Sequence, residues 1–129
     1  MIDNLNEQRC FELLASTTVG RLGFVTGERV SIIPVNYTLD GRDILVRASS
    51  DGVLSAVPGS AIEPAFEVDH HDDLAGTAWS VLLSGPVAAE QETEPFSGRA
   101  APWAGGERTL LLRLQPSSIS GRIVRREPG

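Results

Sequence analysis

Apolar positions recur at helical spacing near the start of the chain and at a spacing of two almost everywhere after it. Leu5, Phe11 and Leu14, supported by Cys10 and Leu13, form one stripe of an amphipathic helix. Asn4 and Glu7 stand at capping-box spacing, so the helix is predicted over Asn4–Ala15. Ser16-Thr17-Thr18 ends it, because hydroxyl and β-branched residues favour turn and strand. Period-two alternation then predicts strands over Val19–Val25, Val30–Leu39 and Asp43–Ala48, with turns at Thr26-Gly27-Glu28 and Asp40-Gly41. Pro34 falls inside the second of these strands and predicts a bulge or an unpaired edge. A short helix over Val53–Val57 is stopped by Pro58-Gly59. Ala61–Asp69 alternates, with Ile62, Pro64, Phe66 and Val68 on one face and Glu63, Glu67 and Asp69 on the other. His70-His71-Asp72-Asp73 reads as a polar loop, and Thr77–Ala89 as one long strand bent at Gly85-Pro86. Gln91–Glu107 reads as an irregular loop, and Thr109–Gln115 and Ile119–Arg125 as the last two strands.

Six or seven hairpin-connected strands with one long and one short helix make a mainly β protein, an antiparallel β-barrel with flanking helices. Val81-Leu82-Leu83 and Leu110-Leu111-Leu112 are apolar on both faces, as in a closed sheet whose inner face is core and whose outer face is covered. One chain has too few helices for that cover, which predicts a homodimer. The 129 residues fit a single domain, 1–129. No run of 18 apolar residues is present, so no membrane-spanning helix is expected. The polar, acidic opening Met1-Ile-Asp-Asn-Leu-Asn-Glu is unlike a secretory signal, and a cytoplasmic location is the expectation. A single cysteine, Cys10, leaves no intramolecular disulfide and no cysteine-rich zinc site.

Charge narrows the function classes. The net charge is −6, against the basic face that a nucleic-acid binder presents. All 11 basic residues are arginine and none is lysine. Schiff-base and P-loop lysine chemistry are therefore excluded, and an anion site must rely on arginine, hydroxyls or backbone N–H groups. Arg47 ends an apolar strand, and Ser49, Ser50 and the backbone of Asp51 and Gly52 follow at the start of a short helix. Two readings stand: a phosphate cradle, or a guanidinium paired with an acidic side chain while the serines cap the helix. Trp79, beside Ser80, reads as core or interface, or as a wall of a cofactor pocket. Trp103 lies in the irregular loop, as a lid or an interface anchor. His70 and His71 are metal-ligand types, but neighbours on extended chain point apart and rarely share a metal. There is no Gly-x-Ser-x-Gly elbow, no Gly-x-Gly-x-x-Gly and no Walker A run.

Taken in order, Val19-Gly-Arg-Leu-Gly-Phe-Val25, Ile33-Pro-Val-Asn-Tyr37, Asp40-Gly41, Ile44-Leu-Val-Arg47, Ala65-Phe-Glu-Val-Asp69, Trp79-Ser-Val-Leu-Leu-Ser-Gly85, Pro102-Trp-Ala-Gly-Gly106 and Ile119-Ser-Gly-Arg-Ile123 resemble the pyridoxamine 5′-phosphate oxidase-like flavoproteins. More narrowly, the chain is similar to the small actinobacterial branch of the FMN-binding split-barrel superfamily, from about residue 10 to 124. The resemblance implies a six-stranded split barrel and a homodimer with two FMN sites at its interface. It places the flavin along Pro34, Val35 and Asn36, with Arg47, Ala48, Ser49 and Ser50 near the phosphate and ring edge, and Trp79 and Ser80 reaching in from the other copy. Some relatives use F420 and some bind haem, a reading prompted here by His70 and His71. Where relatives carry a phosphate-binding lysine after the serines, this chain has Val53, preceded by Asp51.

The function implied is an FMN-dependent or F420-dependent oxidoreductase acting on a small molecule, in which the flavin does the chemistry and no dedicated acid or base is required. The alternative is a non-catalytic split-barrel dimer that binds a ligand or has lost FMN. Oxidation of pyridoxamine phosphate itself is disfavoured, because the chain has few basic residues to grip a second phosphorylated ligand.

Overall fold

A computed structural model of the protein describes residues 1–49, 52–90 and 109–126. The predicted Ser50, Asp51 and Trp103 features, with the rest of the irregular loop, lie outside the described residues. The chain opens with β1 (Ile2–Leu5), α1 (Glu7–Ala15), β2 (Val19–Thr26), β3 (Arg29–Asp40) and β4 (Asp43–Ser49). A single 3-10 turn, Val53–Ala56, leads to β5 (Ala65–Asp72), β6 (Thr77–Ser84), β7 (Val87–Glu90), β8 (Thr109–Leu114) and β9 (Ser118–Arg125). These make one curled antiparallel sheet in the order β1-β9-β6-β5-β2-β3-β4-β8-β7. The described residues therefore hold nine strands, not six or seven, and one α-helix.

The period-two pattern is what curls the sheet around its core. Strands β2, β3, β4, β5, β6 and β8 each turn two or more apolar residues inward, among them Leu22 and Phe24, Val35 and Tyr37, Ile44 and Val46, Phe66 and Val68, Val81 and Leu83, and Leu112 and Leu114, all buried. Tyr37 and Phe66 meet edge to face with centroids 5.0 Å apart. Helix α1 closes the inside with Cys10, Leu13 and Leu14. It sits so close to β9 that a Cβ on Gly121 would come within 2.5 Å of the Cys10 sulfur, so that position requires glycine. No helix among the described residues is long and apolar enough to cross a membrane.

Several boundaries differ from the sequence pattern for physical reasons. The helix starts at Glu7, because Asn6 is the cap: its side chain accepts from Arg9 N at 2.8 Å. Ile2–Leu5 forms β1 instead, zipped to β9 from Ile2↔Val124 to Leu5↔Gly121. Residues 70–72 continue β5 because each pairs with β6, the last as Asp72↔Thr77. Ile62, predicted to share a face with Phe66 and Val68, precedes β5 and is exposed while they are buried. The strand predicted over residues 77–89 is two strands. Gly85 and Pro86 break it, and β7 crosses to the far edge to pair with β8. Backbone crowding explains the glycine, since a Cβ on Gly85 would overlap the Gln115 carbonyl.

Candidate functional site

Strand β3 is shared between two partners. Its first eight residues pair with β2, from Thr26↔Arg29 to Val19↔Asn36. Its last four pair with β4, from Asp40↔Asp43 to Tyr37↔Val46. Beyond Tyr37 and Val46 the two strands of this hairpin part, and β4 continues with β8 alone. A wedge opens between residues 33–36 and residues 47–49, with the start of the 3-10 turn beside it.

Pro34 sits on one lip of the wedge, and the ladder explains why it is tolerated. Tyr37 N donates to Thr18 O at 2.9 Å. Alternation in an antiparallel pair then directs the odd-numbered N–H positions of β3 toward β2 and the even-numbered ones away. The nitrogen of Pro34 thus faces the wedge, where no strand lies beside it, and no ladder bond to β2 is lost. The register with β2 is continuous through Arg21↔Pro34, so the proline marks an edge and not a bulge.

The wedge holds a cavity of about 240 Å³. Six of the predicted site residues line it: Pro34, Val35, Asn36, Arg47, Ala48 and Ser49. Four more, Ile33, Gly52, Val53 and Leu54, complete the wall. Gly52 was named from sequence through its backbone N–H and Val53 through its aliphatic side chain, whereas Ile33 and Leu54 were not assigned to the site, although the place of Ile33 beside Pro34 in its strand is a signal for it. The lining is mainly apolar. Asn36 is the buried polar residue among those described. Arg47 is half-buried, with Nε out of contact with solvent.

The closed end of the same hairpin is built differently. On β8, Arg113 bonds Asp43 through Nη1 at 2.8 Å and Asp40 through Nη2 at 2.9 Å, and its Nε donates to Glu90. These hydrogen bonds, Glu90 first, hold the guanidinium charged well beyond its ordinary range. The guanidinium ties both sides of the hairpin to β7 and β8.

Trp79 and Ser80 are not at the wedge. They lie on β6, separated from β3 by β5 and β2, three strand spacings or about 14 Å measured along the sheet. There they border a shallow outer groove with Glu67, Asp69, His71 and Arg122. Arg21 of β2 bridges Asp69 at 2.7 Å and Glu67 at 2.9 Å. The hydrogen bond from Arg21 lowers the Asp69 carboxyl below its usual range. Burial, followed by the neighbouring Asp69, raises that of Glu67. His70 turns toward Trp79, with ring centroids 6.3 Å apart, while His71 faces the outer groove. Among the described residues no three His, Cys, Asp or Glu side chains are grouped to hold a metal. Burial raises the Cys10 thiol, with Glu7 adding to the effect, and Cys10 packs in the core.

Comparison with known proteins places this arrangement. Residues 6–123 match the sequence model of the pyridoxamine 5′-phosphate oxidase family. An uncharacterised protein of Mycobacterium tuberculosis, Rv0080, is 30% identical over 128 residues, covering 93% of this chain and 84% of its own. A Corynebacterium glutamicum protein provisionally named pyridoxamine 5′-phosphate oxidase superposes with a TM-score of 0.83 at 25% identity, over 98% of this chain and 100% of that one. The FAD binding protein of Mycobacterium smegmatis superposes with a TM-score of 0.75 at 24% identity, over 97% and 100%. The curled sheet is thus the split-barrel fold.

Proposed function

The chain belongs to the pyridoxamine 5′-phosphate oxidase family, and from that premise we propose that it is a flavin-binding oxidoreductase acting on a small molecule, with FMN seated in the β3–β4 wedge. The observation that carries this reading is the wedge itself, which gathers Pro34, Val35, Asn36, Arg47, Ala48 and Ser49 from two strands that the fold holds apart. The lining suits a planar heterocycle. Ile33, Val35 and Ala48 give apolar walls, and the Asn36 amide offers both a donor and an acceptor to a ring edge. Arg47 and Ser49 offer donors to an oxygen-rich or anionic edge. A protein of the same fold from Mycobacterium smegmatis binds FAD, which supports a flavin here. A flavin, when bound, supplies the hydride and electron chemistry, and the protein positions it and shapes the space beside it.

Two copies complete the site in this reading. A cavity of about 240 Å³ is smaller than one that encloses a whole ligand of flavin size. Trp79 and Ser80, too distant within one chain, reach the wedge from a second. Val30 and Ile32 on the outer side of β3 and Leu82 on β6 leave apolar surface for such a contact, at 74%, 67% and 50% exposure.

The test is the absorption spectrum of the purified protein before and after soaking with FMN, with sedimentation to give the mass. Flavin bands at about one FMN per chain on a dimer are expected. A colourless protein that takes up neither FMN nor F420 overturns the reading, and uptake of F420 alone reassigns the cofactor.

A further inference from the structure

Resting on the flavin reading above, we propose that the wedge grips a flavin by its ring system and not by its phosphate, and that Val53 sets this preference. Val53 opens the 3-10 turn at the rim of the cavity and is 52% exposed, whereas the next residue, Leu54, is 9% exposed and anchors the turn on the core. The rim position is therefore held by an aliphatic side chain that contributes little to packing. Among the described residues around the cavity, Arg47 carries the one positive charge. Its Nε is out of contact with solvent, so that end of the guanidinium is set into the wall. The whole chain has no lysine and a net charge of −6, so its overall field opposes an entering dianion.

Two parts of the ligand meet this surface on different terms. A phosphate surrenders its water only to charge-assisted donors, and such contacts are the strong ones. A ring system gains in proportion to the apolar area it covers, and Ile33, Val35, Ala48 and Leu54 provide that area. The wedge therefore rewards the ring. Riboflavin and FMN are held alike, and the flavin exchanges with solution as a dissociable ligand.

The experiment titrates the flavin-free protein with riboflavin and with FMN, following flavin fluorescence, and repeats both with Val53→Lys and Val53→Arg. In the unaltered protein the two affinities are expected to agree within about threefold. Each variant is expected to raise FMN affinity relative to riboflavin by about tenfold or more and to keep the unfolding midpoint, since Val53 is 52% exposed. A preference for FMN above about thirtyfold in the unaltered protein overturns the inference and leaves the flavin reading standing. So do variants that shift both ligands equally or neither. Failure to bind either flavin removes the flavin reading and this inference together.

Discussion

The two ends of the β3–β4 hairpin use the same kinds of strand for opposite purposes. At the closed end, Asp40 and Asp43 face each other across the ladder and Arg113 binds both, with Glu90 as a third acceptor. At the open end, which begins four residues further along each strand, charge gives way to proline, small residues and aliphatics around one arginine. Charge is concentrated where the strands must stay together, and apolar surface where they part. An arginine surrounded by three carboxylates is structural, because its donors are already satisfied in a fixed fork. The other arginine, Arg47, is set in a mainly apolar wall.

Three substitutions bear on that contrast. The largest effect is expected at the fork, where Tyr37 is the last β3 residue paired with β4. Its ring is buried against Phe66, and its hydroxyl donates to the Leu14 carbonyl at 2.5 Å. Tyr37→Ala removes both contacts and should destabilise by about 3–5 kcal/mol, read as a shift in the urea midpoint. A loss below about 1 kcal/mol would mean that the fork is held elsewhere. Next comes Arg113→Leu, which leaves three carboxylates crowded at the closed end. Asp40 and Glu90 are partly open to solvent, so screening limits the loss to about 2 kcal/mol, and added salt should narrow the gap from the unaltered protein. A variant as stable as the parent would show that the closed end does not depend on its ion pairs. The smallest effect is expected for Pro34→Ala. Its nitrogen faces away from β2, so only the rigidity of the unfolded chain changes, a loss of about 0.5 kcal/mol. A gain above about 1 kcal/mol would instead reveal a new ladder bond to β2 and reverse the orientation assigned to the wedge.

The strands and turns of this fold are legible in the sequence because period-two alternation decides which residues are buried, and Gly27 and Gly41 mark hairpins with positive φ of +62° and +61°. Pairing across long distances is not legible. Nothing local to Ile2–Leu5 announces that β9 will recruit it, and the helix stripe absorbed Leu5 in consequence. The same holds for residues 77–89, where the pattern carries on through Gly85-Pro86 although the partner strand changes. At the candidate site, the residues flanking the wedge were legible through the motifs around Pro34 and Arg47. The fork was not, since it depends on where β4 stops pairing with β3, a fact of register and not of composition. The distance from Trp79 to the wedge is likewise a product of strand order, and only the assembled sheet reveals it.

The imino acid at position 34 has a kinetic consequence. A gap that existed only because two strands happened to fray would have to reopen each time a guest arrived, and its association rate would track that opening. Here the missing donor leaves β3 with no hydrogen bond to offer on that side, so the gap is part of the folded sheet; if the flavin reading holds, association should show no slow opening phase, which stopped-flow mixing would detect.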